Sequence, residues 1–295
     1  MQLTIRGLSK TYKGGVRALK DVNLTLTNGM FGLLGPNGAG KSSLMRTIAT
    51  LQEADEGTVF LDDLDVLREK TAVRKLLGYL PQEFGVYPRI SAEQMLDHVA
   101  RLKGVQQAGE RKELVGELLN NVNLYKDRKK KLGTFSGGMK QRWGIAQALI
   151  GQPRLIIVDE PTAGLDPAER NRFYNLLSHL GENTIVILST HIVEDVSTLC
   201  SRFAVICQGE VLYSGRPEQA MTEMAGKVYS KMIRKDDIIQ YQKDYTLLST
   251  QLKAGELYIR IHAGSDPGNG FVLSEPNLED VYFSHIATKM DINTL

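Results

Sequence analysis

Gly35-Pro36-Asn37-Gly38-Ala39-Gly40-Lys41-Ser42 is the stretch from which the rest of the chain is read. Gly35, Gly40, Lys41 and Ser42 fill the defining positions of the G-x-x-x-x-G-K-[ST] phosphate-binding loop. Glycines leave the backbone free to turn its N–H groups inward around phosphate oxygens. Lys41 in such a loop reaches the β- and γ-phosphates of a nucleotide, and the Ser42 hydroxyl takes Mg²⁺. Asn37, Gly38, Ala39 and Ser43 complete the expected cradle. The flanks agree: Met30 to Leu34 read as a strand entering the loop, and Ser43 to Ala49 as a helix leaving it. That helix points its positive end at the anion.

Leu155-Ile156-Ile157-Val158-Asp159-Glu160 is a hydrophobic strand ending in two carboxylates. A parallel strand delivers such acids to the ligand-bearing edge of its sheet. Asp159 is expected to hold Mg²⁺, directly or through water, opposite Ser42. Glu160 is expected to polarise the attacking water as general base. Between the two motifs lies Phe135-Ser136-Gly137-Gly138-Met139-Lys140-Gln141-Arg142. Ser-Gly-Gly opening a helix is a second anion cradle, which makes Ser136, Gly137 and Gly138 candidate nucleotide contacts.

Composition narrows the class. A chain of 295 residues is one large or two modest domains. At this size folding buries roughly three quarters of the unfolded surface, enough for a sizeable core. Hydrophobic content of 42% and charged content of 24% are those of an ordinary globular protein. The net charge of +2 provides no long-range field, so no nucleic-acid partner is expected. The basic run Lys126-Asp127-Arg128-Lys129-Lys130-Lys131 reads as a solvated face for the same reason. No apolar run approaches the ~20 residues of a membrane span. The N-terminus has no basic-then-apolar segment of the secretory kind. Cys200 and Cys207 sit in or near apolar segments and read as buried free thiols. These features together fit the cytosol.

Along the chain, the first part reads as β-rich, with Asn28-Gly29 as a hairpin turn before the strand that feeds the phosphate loop. Strands are also expected at Thr58 to Leu61 and Leu76 to Leu80. The middle reads as helical. Ser91-Ala92-Glu93-Gln94 has capping-box form, and Met95, Leu96, Val99 and Leu102 follow at helical spacing before Gly104. Leu114, Leu118, Leu119 and Val122 indicate a second helix. Leu155 to Val158 and Thr184 to Leu188 are continuous apolar runs, as parallel strands covered on both faces should be. Gln208-Gly209 marks a further hairpin. After Gly215 the composition shifts, and Asn277 is placed to cap a last helix. The expected organisation is an ATP-binding domain over residues 1–215, with a helical subdomain at about 83–150, and an accessory α/β extension over 216–295.

The motifs, in this order, resemble the ATP-binding cassette (ABC) family, whose signature reads roughly L-S-G-G-Q. Phe135 and Met139 depart from that signature, and Ser136 and the glycines keep it. The resemblance runs from Leu3 to about Gly215 and implies an α/β fold of the P-loop NTPase kind. Its parts would be a parallel core sheet, an N-terminal antiparallel β-subdomain, an inserted helical subdomain and a small C-terminal α/β extension. It further implies ATP hydrolysis with Mg²⁺. Tyr12 resembles the aromatic that stacks on adenine, and Gln82 the glutamine that touches Mg²⁺ and the attacking water. Ala163-Gly164-Leu165-Asp166 resembles the loop that crosses to a partner subunit. His191 resembles the histidine that contacts the γ-phosphate and Glu160.

Further implications concern partners. In the family, the signature of one subunit completes the nucleotide site of another, so a homodimer or a pair with a related ATPase is implied. A separate polytopic membrane permease is implied too, with its cytoplasmic helix docking near Phe84-Gly85-Val86-Tyr87-Pro88. That would place the chain on the inner face of the cell membrane. Glu275-Pro276-Asn277-Leu278-Glu279-Asp280-Val281-Tyr282 resembles the tail of ABC-2-type exporter ATPases, which move drugs, antibiotics, lipids or polysaccharides. The alternative is a soluble family member serving an assembly such as iron–sulfur cluster biogenesis.

Overall fold

A strand with four successive apolar residues has to be covered on both faces, and all five residues of Leu155–Asp159 are buried in the computed structural model. The structure describes residues 1–82, 85–162, 165–178, 180 and 183–290. Phe84 of the expected docking loop, and Ala163 and Gly164 of the expected crossing loop, lie outside the described residues.

The chain begins with β1 (Gln2–Thr11), β2 (Arg17–Thr27), β3 (Gly29–Leu34) and α1 (Lys41–Ile48). Next come β4 (Glu56–Leu61), β5 (Leu64–Asp65), α2 (Lys70–Leu76) and β6 (Leu77–Leu80). Three helices follow, α3 (Ala92–Leu102), α4 (Ala108–Asn121) and α5 (Gly137–Ala148). The core resumes with β7 (Leu155–Asp159), α6 (Pro167–Ser178), β8 (Ile185–Thr190), α7 (Val193–Leu199), β9 (Arg202–Cys207) and β10 (Glu210–Gly215). The C-terminal part holds α8 (Pro217–Glu223), β11 (Val228–Ile233), α9 (Ile238–Asp244), β12 (Thr246–Lys253), β13 (Glu256–His262), β14 (Val272–Leu273) and α10 (Leu278–Ile286).

The core sheet has the order β10-β9-β3-β8-β7-β6. Its pairings are parallel except for β10 against β9. Alternate residues of its strands serve two separate cores. Ile156, Val158, Val186 and Leu188 pack with the helices on one side. Leu155, Ile157, Ile185 and Ile187 pack with α1 and the antiparallel sheet β2-β1-β4-β5 on the other. Parallel pairing has one decisive consequence for the site. The carboxyl ends of β3, β6, β7 and β8 open on one edge, as ligand sites in such sheets require.

Asn28-Gly29 does not make the expected hairpin. β2 belongs to the antiparallel sheet and β3 to the core sheet, so the turn carries the chain between layers. The Gly29 N–H is taken by Thr184 O at 3.0 Å, a pairing with a distant strand that no local signal predicts. The segment ahead of β6 also differs from expectation, because Leu76 closes α2 rather than opening a strand.

The helical part is built as its sequence indicates. Ser91 caps α3 with both halves of the capping box formed. Trp143 of α5, 1% exposed, donates its indole N–H to Ala92 O at 3.1 Å and so ties the two helices together. Leu102, by contrast, falls on the helical spacing yet is 74% exposed. Cys200 and Cys207 are buried free thiols. In the C-terminal part, β12-β13-β11-β14 form an antiparallel sheet. Tyr229, Ile259, Ile261 and Phe271 give that sheet an apolar cluster of its own. α10 instead lays Leu278, Val281, Tyr282 and Ile286 into the cluster shared with the core sheet. Asn277 caps α10 through a full capping box with Asp280.

Candidate active site

The loop after β3 can approach its surroundings closely only because it carries glycine where backbone comes nearest. A Cβ on Gly35 would stand 2.3 Å from Ile206 O, and one on Gly40 2.4 Å from Ala18 O. Gly40, at φ 107°, is also the N-cap of α1, so the helix opens directly onto the loop. Behind it, the Gln208-Gly209 turn joins β9 to β10 and braces the loop. Gly209 donates its N–H to Ala39 O at 2.8 Å and accepts from Lys20 N at 2.8 Å.

A cleft of about 810 Å³ lies over this loop. It gathers Tyr12, Asn37 to Ser43, Gln82, Glu160 and His191, which reach it from five different segments. Glu160 is the point on which the others converge. Gln82 Nε2 donates to its Oε2 at 3.1 Å, His191 Nδ1 lies 3.4 Å from the same oxygen, and Lys41 Nζ lies 3.5 Å from Oε1. Glu160 takes a left-handed conformation at φ 46°, costly for a non-glycine residue and typical of functional sites. Its N–H is held by Ser189 O at 2.9 Å. Lys41 also donates to Gly35 O at 2.6 Å and Pro36 O at 3.1 Å. Burial pushes its ammonium below the ordinary lysine value, while the carboxylates of Glu160 and Asp159 pull it back up.

Asp159, one residue earlier, is 4% exposed. Its Oδ1 has no hydrogen-bond partner among the described residues. Burial raises its carboxyl above the usual range, opposed by the Ser189 hydroxyl; Glu160 adds to the rise, and Ser42 and Lys41 oppose it. A buried carboxylate oxygen without a donor, beside a serine hydroxyl, is a donor set suited to a hard divalent cation with oxygen ligands. The residues therefore fit Mg²⁺.

Tyr12 is 38% exposed at the cleft's rim. Its hydroxyl pairs with Ser43 Oγ at 2.9 Å and donates to Gln52 Oε1 at 2.6 Å. Ser136 sits elsewhere. It caps α5, accepting from Met139 N at 3.2 Å, and neither it nor Gly137 is among the residues lining the cleft. Gly138 packs against α6, where a Cβ would stand 2.6 Å from Glu169 Oε2. Asp166 caps the start of α6, accepting from Glu169 N at 2.8 Å. The structure thus brings together the loop, Gln82, Glu160 and His191, and leaves the Ser136 cradle outside that cleft.

Sequence reasoning missed several residues here. Arg17, Lys20, Gln208 and Gly209 line the cleft; the turn at Gln208-Gly209 was legible, but not its position. A buried acid, Asp195, was missed altogether.

A parallel sheet with a phosphate loop between β3 and α1, and acids at the end of β7, defines a P-loop nucleoside triphosphatase. The ABC transporter family model matches residues 19–163. The linearmycin resistance ATP-binding protein LnrL of Bacillus subtilis (strain 168) is 36% identical over 226 residues, covering 76% of this chain and 72% of that protein. The daunorubicin/doxorubicin resistance ATP-binding protein DrrA of Streptomyces peucetius is 35% identical over 263 residues, covering 88% and 77%. The dimeric structure of the ATP-binding cassette MJ0796 bound to ADP and Pi matches with a TM-score of 0.67 and 29% identity. That match spans 72% of this chain and 98% of that one. The chain belongs to the ABC transporter ATP-binding proteins and is an ATP-binding, ATP-hydrolysing subunit.

Proposed function

We propose that two such chains, identical or related, close head to tail over ATP, and that hydrolysis reopens them to drive a separate membrane permease. The convergence of Lys41, Gln82 and His191 on Glu160 carries this reading. Lys41 binds the β- and γ-phosphates, Glu160 takes a proton from the attacking water, and Gln82 and His191 orient both. Tyr12 stacks on the adenine. Ser42 and Asp159, with Gln82, would hold Mg²⁺, which when bound would neutralise negative charge on the phosphates. Ser136, Gly137 and Gly138 face the partner's nucleotide, and Asp166 belongs to the crossing loop. The position of Ser136 outside the cleft supports a site shared between two chains.

This arrangement is tested by mixing two inactive variants. Lys41→Ala and Ser136→Arg each lose turnover. Mixed in equal amounts they regain about one quarter of it, since about half of the dimers are mixed and each of these holds one intact pair. Failure to regain activity on mixing, with dimers demonstrably exchanged, removes the shared site.

No helix among the described residues is long and apolar enough to cross a membrane, and in this reading the permease supplies the membrane passage. A groove of about 600 Å³ between the core and the helical subdomain offers a seat for its cytoplasmic helix. Tyr79, Val99 and the exposed Leu51 and Leu102 line it, whereas Gly85 to Pro88 of the docking loop expected from the family do not. Docking there holds the chain on the inner face of the membrane. Leu102→Asp is expected to leave the ATPase activity of the isolated chain within about twofold, as for surface substitutions generally. Copurification with a polytopic membrane protein should be lost; copurification unchanged moves the docking site elsewhere. The printed functions of the relatives, resistance to linearmycin and to daunorubicin and doxorubicin, support an exporter of the ABC-2 type. Iron–sulfur cluster assembly finds no support among them. In this reading residues 216–295 form an accessory extension to the ATP-binding domain of residues 1–215.

A further inference from the structure

We propose that Asp195 is a positioning residue for ATP hydrolysis, one buried carboxylate that ties the segment carrying Glu160 to the segment carrying His191. The proposal rests on the roles given above to those two residues.

Asp195 lies in the first turn of α7. An acid at that position ordinarily faces water and the helix dipole. Here it is 0% exposed. Three hydroxyls from three separate segments donate to it. Thr162 Oγ1 and Thr190 Oγ1 each reach Oδ2 at 2.7 Å. Tyr174 of α6 donates to Oδ1. The donors are themselves buried, Thr162 and Thr190 at 1% and Tyr174 at 7% exposure. Burial, with Asp195 beside it, pushes the Tyr174 phenol well above its ordinary value, so the proton stays on the donor.

The connections made by these donors carry the argument. Thr162 follows Glu160 by two residues, and Thr190 immediately precedes His191. Thr190 Oγ1 also accepts from Ile192 N at 3.0 Å, fixing the backbone on the far side of His191. Register adds a second tie, since Asp159 of β7 pairs with Ser189 of β8. Asp195 itself is not among the residues lining the cleft, so it acts through others.

A buried carboxylate is a poor choice for stability alone, because apolar side chains of similar volume pack as well or better. What a charged acceptor does provide is direction. Charge-assisted hydrogen bonds are short and geometrically specific, and three of them on one group leave little room for its neighbours to shift. The separation of His191 Nδ1 from Glu160 Oε2, 3.4 Å, is the quantity under this control.

The test is steady-state ATP hydrolysis by the full chain. Asp195→Asn keeps the size and removes the charge and one acceptor. It is expected to lower kcat by about 10- to 100-fold, the scale set by small misplacements of reacting groups, while KM for ATP stays within about threefold. Thr190→Val should show the same split more weakly, and Thr190→Ser, which keeps the hydroxyl, should turn over like the unmodified chain. These two serve if Asp195→Asn folds poorly. The decisive comparison adds His191→Ala. If Asp195 works through His191, the double variant is scarcely slower than His191→Ala alone, a non-additivity expected of coupled residues. Full multiplication of the two losses, or a normal kcat in Asp195→Asn, overturns the proposal. Normal turnover in His191→Ala with Asp195 intact overturns instead the reading of the site beneath it.

Discussion

Glu160→Gln is expected to bind ATP as the unmodified chain does and to hydrolyse it about 10²- to 10⁴-fold more slowly, the span attributed to a general base. The substitution keeps the length of the side chain and one oxygen to accept from Gln82 Nε2. It removes the charge that faces Lys41 Nζ at 3.5 Å and His191 Nδ1 at 3.4 Å. Lys41 does not depend on Glu160 for its place, since Gly35 O and Pro36 O also accept from it. Phosphate binding therefore survives while proton removal from water does not. A closed dimer that holds ATP should accumulate. Single-turnover hydrolysis and size-exclusion chromatography with Mg-ATP measure the two effects. Turnover within tenfold of the unmodified chain takes the role of base away from Glu160.

The second large effect is on stability and lies far from the nucleotide. Arg260 of β13 reaches Asp280 of α10 with both arms of its guanidinium, Nε to Oδ1 at 2.8 Å and Nη2 to Oδ2 at 2.6 Å. Nη2 also donates to Glu275 O at 2.7 Å. Asp280 is 0% exposed and is simultaneously the acid of the Asn277 capping box. Arg260→Leu leaves that carboxylate buried without its counter-charge. The expected cost is about 3–5 kcal/mol, the penalty for breaking a buried pair from one side. Removing both partners, with Asp280→Leu added, should recover a substantial part of it. Urea denaturation of the three proteins provides the comparison. An unchanged midpoint for Arg260→Leu would show that Asp280 finds water or another partner.

What could be read in advance follows the range of the interaction. The phosphate loop, the two acids after Val158, the Ser91 and Asn277 caps and the Gln208-Gly209 turn each declare themselves within a few residues, because their chemistry is local. The convergence on Glu160 was legible only through the family resemblance, since Gln82 lies 78 positions away and nothing near it fixes the distance. Asn28-Gly29 was misread because a turn dipeptide encodes a change of direction and not which strand waits on the other side. Asp195 was invisible for a related reason. An acid at a helix start has a sufficient local explanation in the dipole, and its three hydroxyl donors come from elsewhere in the chain.

The Gln208-Gly209 turn bears on how the molecule is made. Besides Ala39 and Lys20 it meets the segment after α10, with Gln208 Nε2 donating to Lys289 O at 3.4 Å. Lys289 Nζ in turn reaches Glu210 at 2.7 Å. A nascent polypeptide released from the ribosome N-terminus first carries its glycine-rich loop into solution before the turn that braces it. The strut behind that loop is delivered only once the ninth and tenth strands emerge, and its outer buttress, Lys289, follows α10. The loop is thus braced only after the residues that form it have been translated.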